Sequence, residues 1–183
     1  MRILVGYFSE TGNTKRIAEA IGAAAEGLGH ETRVAAVSEI TAEDLAACEV
    51  AFLGSTCHSA DVAQPLKATL SELPEGGGPK VAGFVTHATT MPDGDEWRNG
   101  MYEKWAGICE KTFTEKTASK GVDFLGYFHC QGAPSPQIEA FVHSTIITDE
   151  AVWKEYLSDV RGRPNDEDLE AAKRFAKQVL EKA

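Results

Sequence analysis

Ile3-Leu4-Val5-Gly6-Tyr7-Phe8, followed at once by Ser9-Glu10-Thr11-Gly12-Asn13-Thr14, decides how this chain is read. The first six residues are an apolar run of strand length. The next six open a helical pattern in which Ile17, Ala20, Ile21, Ala24 and Leu28 share one face. A strand that ends in hydroxyls, an amide and a glycine just before a helix is suited to holding an anion. The first backbone N–H groups of a helix lack internal partners and sit at the positive end of its dipole. Ser9, Thr11 and Thr14 add hydroxyl donors, and Gly12 lets the backbone approach closely.

The type of anion follows from what is missing. A triphosphate loop reads G-x-x-x-x-G-K-[ST]. Here Gly6 stands one residue too far from Gly12, and Asn13 takes the place of the lysine. The dinucleotide pattern G-x-G-x-x-G is absent as well. Neutral donors without a fixed cation suit a single terminal phosphate. A Ser- and Thr-rich helix cap with no ligand is the alternative at this stage.

Strand and helix patterns alternate along the rest of the chain, which predicts a parallel sheet. Further strands are expected over 31–37, 50–54, 80–85 and 122–129. Helices are expected over 42–47, 62–73, 96–117 and from Asn165 onward. In the long 96–117 helix, Trp97, Met101, Trp105, Ile108 and Cys109 form one face. The last helix turns Leu169, Ala172, Phe175, Ala176 and Val179 inward, and Asn165 is its expected N-cap. Between the fifth strand and that helix lies Gly132 to Pro164, with short helices expected over 137–144 and 150–160. Its apolar side chains are too numerous to leave in water.

The loop Ser9–Thr14 resembles the FMN phosphate loop of flavodoxins, whose pattern is [ST]-x-T-G-x-T after the first strand. Ser9, Thr11, Gly12 and Thr14 match it position for position. The resemblance extends over nearly the whole chain. It implies one α/β domain spanning 1–183: a flavodoxin-like, doubly wound, five-stranded parallel sheet of order 2-1-3-4-5 with helices on both faces. Residues 132–164 are an addition to it. A receiver of the same topology would need an aspartate where Gly54 and Ser55 stand.

The resemblance also implies a cofactor site for FMN. Its residues are Ser9, Glu10, Thr11, Gly12, Asn13 and Thr14 on the phosphate loop, Ser55, Thr56, Cys57 and His58 after the third strand, and Thr86, His87, Ala88 and Thr89 after the fourth. Flavodoxins place a tryptophan in the first of these ring loops and a tyrosine in the second. In their stead the candidates to cover the ring are His58, Trp97 and Tyr102. Cys57 and Cys130 fall at strand ends, as do His58, His87 and His129. No residue is assigned to catalysis or to a metal.

The implied function is electron transfer between protein partners. The alternatives are an NAD(P)H-dependent quinone or flavin reductase on the same fold, and a flavin-free interaction module. The 18 basic and 28 acidic residues give a net charge of −10, which argues against nucleic acid and membrane surfaces and fits a redox partner with a basic docking face. Four cysteines without C-x-x-C spacing and no signal-peptide pattern point to the cytoplasm. Gly132 to Pro164 is expected either to fold beside the cofactor or to form a homodimer contact.

Overall fold

The computed structural model describes residues 1–183. β1 (Arg2–Phe8) is buried from Ile3 to Gly6, as an apolar strand flanked on both sides must be. It lies between β2 (Glu31–Ala36) and β3 (Val50–His58). A two-residue strand, β4 (Asp61–Val62), folds back antiparallel on the end of β3. β5 (Lys80–His87) and β6 (Phe124–Gln131) complete the parallel order β2-β1-β3-β5-β6. Along the five long strands this is the order expected from the sequence; the short β4 is an addition to it.

α1 (Asn13–Gly27) and α8 (Asp166–Lys182) cover one face, where Ile17, Ile21, Ala172, Ala176 and Val179 meet Val5, Phe52 and Phe84. α2 (Ala42–Ala47), α3 (Gln64–Ser71) and α5 (Ile108–Lys120) cover the other, with Leu45, Leu66, Leu70 and Phe113 over Leu4, Leu53 and Val85. The sheet is tight enough that Gly54 cannot carry a side chain: a Cβ there would fall 2.0 Å from the Phe84 ring. Asn165 caps α8 through a reciprocal pair with Asp168. No helix is long and apolar enough to cross a membrane.

Several boundaries differ from the sequence reading, and each difference bears on the site. β3 and β5 run on to His58 and His87, so most of the expected loop residues sit on strand ends. Residues 96–117 do not form one helix. They divide at Gly107 into α4 (Glu96–Ala106) and α5, since glycine is a poor helix former. The expected apolar face of that helix divides too: Cys109 is buried, whereas Trp97 and Ile108 are 45% and 48% exposed. Between β6 and α8 lie α6 (Pro136–Phe141), a π turn over 142–146 and α7 (Glu150–Val160). This segment has a small core of its own, Val142, Ile147, Trp153, Tyr156 and Val160, with Met101 of α4 packed against it.

Candidate functional site

The strand order reverses at β1, so the loops after β1 and β3 leave in different directions and open a crevice at the carboxyl edge of the sheet. Gly12 begins α1 with φ +87°, a left-handed conformation that glycine adopts freely. No side chain caps the helix, so its first N–H groups remain available. Ser9 Oγ is buried without a hydrogen-bond partner, and Thr11 is exposed on the loop. Thr14 lies beneath, fully buried, and its hydroxyl bonds that of Thr86 at 2.8 Å. Asn13 Nδ2 donates to the Ala133 carbonyl at 2.9 Å and ties the loop to the residues after β6.

A trough of about 380 Å³ runs from this loop. Glu10, Thr11 and Asn13 line one end; Thr56, Cys57, His58, Thr86, His87 and Ala88 line its floor and side. Gly132 to Ser135, with Gln137 and Ile138, form the opposite wall, and no lysine or arginine faces it. A second, apolar cavity of about 280 Å³ adjoins the first and shares Cys57, Ala88 and Ile138 with it. Its walls are the β3–β4 turn at Ser59 and Ala60, Thr89, Met101 and Trp105 of α4, and Phe141, Val142, Ile146 and Tyr156 of the 132–164 segment. Ten of the fourteen residues expected at the site thus line one cavity or the other. Ser9, Gly12, Thr14 and Ser55 do not. Ser55 is fully buried, donating its hydroxyl to Thr56 O and accepting from Ala63 N–H, which shapes the turn.

That turn is strained. Ser59 (φ 50°) and Ala60 (φ 71°) both carry side chains in the left-handed region, at about 1–3 kcal/mol each. His58 Nε2 reaches Glu10 across the trough mouth at 2.6 Å. The candidates to cover a ring fare differently: His58 lines the trough, Trp97 and Tyr102 line neither cavity, and Trp105 lines the apolar one. Tyr102 packs on His129 and His87, with ring centroids 4.7 and 5.4 Å apart. His87 Nε2 and His129 Nδ1 are 3.0 Å apart. Burial holds the imidazole of His87 down to about 3, with His129 adding to it, and burial alone holds that of His129 down to about 4. Both rings are therefore neutral at pH 7. No group of three or more His, Cys, Asp or Glu side chains converges to hold a metal ion.

Cys57 does not approach Cys130. Its neighbour is Cys109, with the sulfurs 3.6 Å apart, because Cys130 points into the core on the α1/α8 face. Residues 132–164 fold beside the crevice and are fastened there. The Tyr156 hydroxyl donates to Ala88 O at 2.6 Å, and Arg98 of α4 pairs with Asp159.

A family model described as a flavodoxin domain matches residues 4–177. The chain belongs to the flavodoxin domain family. Solved flavodoxins share the fold along the whole chain. Flavodoxin 2 from Bacillus cereus superposes with a TM-score of 0.66 at 20% identity, covering 100% of both chains. A flavodoxin from the domain Archaea gives 0.64 at 19% identity, covering 100% of this chain and 98% of its own. Rubredoxin oxygen:oxidoreductase from Desulfovibrio gigas gives 0.53 at 12% identity, covering 98% of this chain and 37% of that one. No curated protein sequence matches the chain.

Fold and family agree with a flavin-binding redox protein. The side chains of this flavodoxin domain fit such a group. Ser9 Oγ beside the phosphate loop, and Thr89 Oγ1 and Trp105 Nε1 in the apolar cavity, are all buried without partners. His87 Nδ1, on a residue that lines the trough, is a fourth, so the crevice gathers unpartnered polar atoms that a sealed interior would normally satisfy. Trp105, Tyr156 and Ile138 read as packing residues of helix 96–117 and segment 132–164 and not as cavity residues, because neither element gave a register against the sheet.

Proposed function

We propose that this chain binds FMN and carries electrons between protein partners. The observation that supports it best is the Ser9–Thr14 loop, with uncapped helix N–H groups, an orphaned Ser9 hydroxyl and no lysine or arginine in the adjoining trough. The first N–H groups of α1, Ser9 and Thr11 would hold the phosphate. Thr56 and Thr86 would flank the sugar chain, and the apolar cavity between Cys57–Ala60 and Ala88–Thr89 would take the ring. When bound, FMN supplies one- and two-electron redox chemistry. Met101, Trp105 and Phe141 would give the ring apolar walls. A net charge of −10 favours a partner with a basic docking face, and four free cysteines fit a reducing cytoplasm.

Titration of flavin-free protein with FMN and with riboflavin, followed by flavin fluorescence, tests the phosphate assignment. Losing a hydrogen bond to a charged group costs about 1.5–3 kcal/mol, or roughly ten- to a hundred-fold in Kd. Thr11→Ala is expected to weaken FMN by that order and to leave riboflavin unaffected. Equal affinity for the two flavins would refute the assignment.

A quinone or flavin reductase is the second reading, favoured by one observation. Ile138 and Phe141, on the rim of the apolar cavity, are each 46% exposed, so a flat substrate has a way in. Mixing the FMN-loaded protein with NADPH separates the readings: rapid bleaching without a partner protein means a reductase.

A further inference from the structure

Cys57 and Cys109 stand on either side of the boundary between the crevice and α5. Their sulfurs are 3.6 Å apart. Cys57, at the end of β3, is half-buried and lines both cavities. Cys109, in the first turn of α5, is fully buried. The other two thiols are placed elsewhere: Cys48 donates to Leu45 O after α2, and Cys130 is in the opposite core.

We propose that Cys57 and Cys109 are a redox pair that closes a reversible disulfide by exchange with a low-molecular-weight disulfide of the glutathione class. An S–S bond is about 2.05 Å, so the sulfurs must approach by roughly 1.5 Å. The backbone around them is already fixed at that range. Ile108 N–H donates to Ala60 O at 3.2 Å, and the Thr112 hydroxyl donates to Asp61 Oδ1 at 2.6 Å. The start of α5 is thereby tied to the β3–β4 turn on both sides of Cys109. The bonds given up are two weak thiol contacts, Cys57 to Trp105 O at 3.2 Å and Cys109 to Ala60 O at 3.6 Å.

The two sulfurs have different tasks. Cys57 is reached from the trough, so its thiolate attacks the external disulfide RSSR, forming Cys57–S–S–R and releasing RS⁻. The contact with the Cys57 thiol, and then burial, hold the Cys109 thiol above its ordinary range. Conversion of Cys57 to a mixed disulfide removes the first of these. Cys109 then loses its proton, attacks the Cys57 sulfur and expels the second RS⁻. In total, two thiols and RSSR give one protein disulfide and two RSH, and reduced glutathione in excess reverses it. The closed bond pins the strained turn at Ser59 and Ala60, and with it the wall common to both cavities, to α5.

The pair needs no flavin to close, so the chain alone suffices for the test. The protein is equilibrated with reduced and oxidised glutathione at graded ratios, acid-quenched, denatured and titrated for thiols. Of the four thiols, two are expected to disappear together, with loss of two hydrogens and no added glutathione in the intact mass. Cys48→Ser and Cys130→Ser are expected to close as before. Cys57→Ser is expected not to close, and Cys109→Ser to hold one glutathione on Cys57. Four thiols remaining at the most oxidising ratio, a glutathione adduct without ring closure in the unmodified chain, or closure that survives Cys57→Ser would overturn the proposal.

Discussion

Tyr156→Phe removes one oxygen and leaves a ring in place. That oxygen donates to the Ala88 carbonyl at 2.6 Å. The ring itself is held independently: it stacks on Trp153 at 5.3 Å and is 2% exposed. The variant therefore isolates one hydrogen bond between the 132–164 segment and the end of β5. A buried carbonyl left without a donor costs about 1–3 kcal/mol. Ala88 is only half-buried, so water repairs part of the loss, and about 1–2 kcal/mol is expected. The loss falls on the docking of the segment and not on the sheet, because Gly132 N–H still donates to His87 O at 2.9 Å. Arg98 still holds Asp159, so the segment stays attached but opens more often. Amide exchange read by mass spectrometry should quicken roughly 5- to 30-fold across α7, with β1 and β3 unchanged. Unaltered exchange across Glu150–Val160 would refute the idea that this hydroxyl fastens the segment over the cavity.

His87 and His129 have folded-state values near 3 and 4 against an ordinary 6.5, so the unfolded chain takes up protons that the folded one refuses. Their contribution is fully present above pH 6.5 and is lost as pH falls towards 4; urea midpoints should drop in that window, and less steeply in a His87→Gln, His129→Gln double variant. Gly54→Ala drives a Cβ into the fully buried Phe84 ring and should cost about 3 kcal/mol in urea unfolding. Gly12→Ala meets open space, so its cost is conformational: about 1–2 kcal/mol for a side chain at φ +87°, with weaker FMN binding by titration.

Apart from β2, the long strands were legible as apolar runs; their order followed from the resemblance to flavodoxins, and Ser9–Thr14 placed the crevice at the end of the first. The β3–β4 turn was not legible. Two-residue hairpins announce themselves with Asn-Gly or Asp-Gly, and this one uses Ser59 and Ala60 in conformations those residues rarely take. The thiol partner of Cys57 was missed for a different reason. Cys109 stands 52 residues further along, and only the break at Gly107 aims the start of α5 at the turn. The break itself had a signal, a glycine inside a helical pattern, but the apolar spacing on both sides of it reads straight through. That Thr89 and Trp105 line the same apolar cavity depends on packing between elements that no local pattern records.

The 132–164 segment carries its own small core, in which His143 lies flat on Trp153 at 4.4 Å and Val160 is fully buried. That core is separate from the two that flank the sheet, and the segment joins the rest of the fold at Ala88, at Met101 and Arg98 of α4, and through Gly132 and Ala133, which bond His87 and Asn13. Ile138 and Phe141 belong to neither core, although both face the apolar cavity. Mutation at these two positions is therefore nearly free of folding consequences while it reshapes what the cavity admits. In evolutionary terms the fold separates the rim from the frame, so descendants of this chain can change what they accept without relearning how to fold.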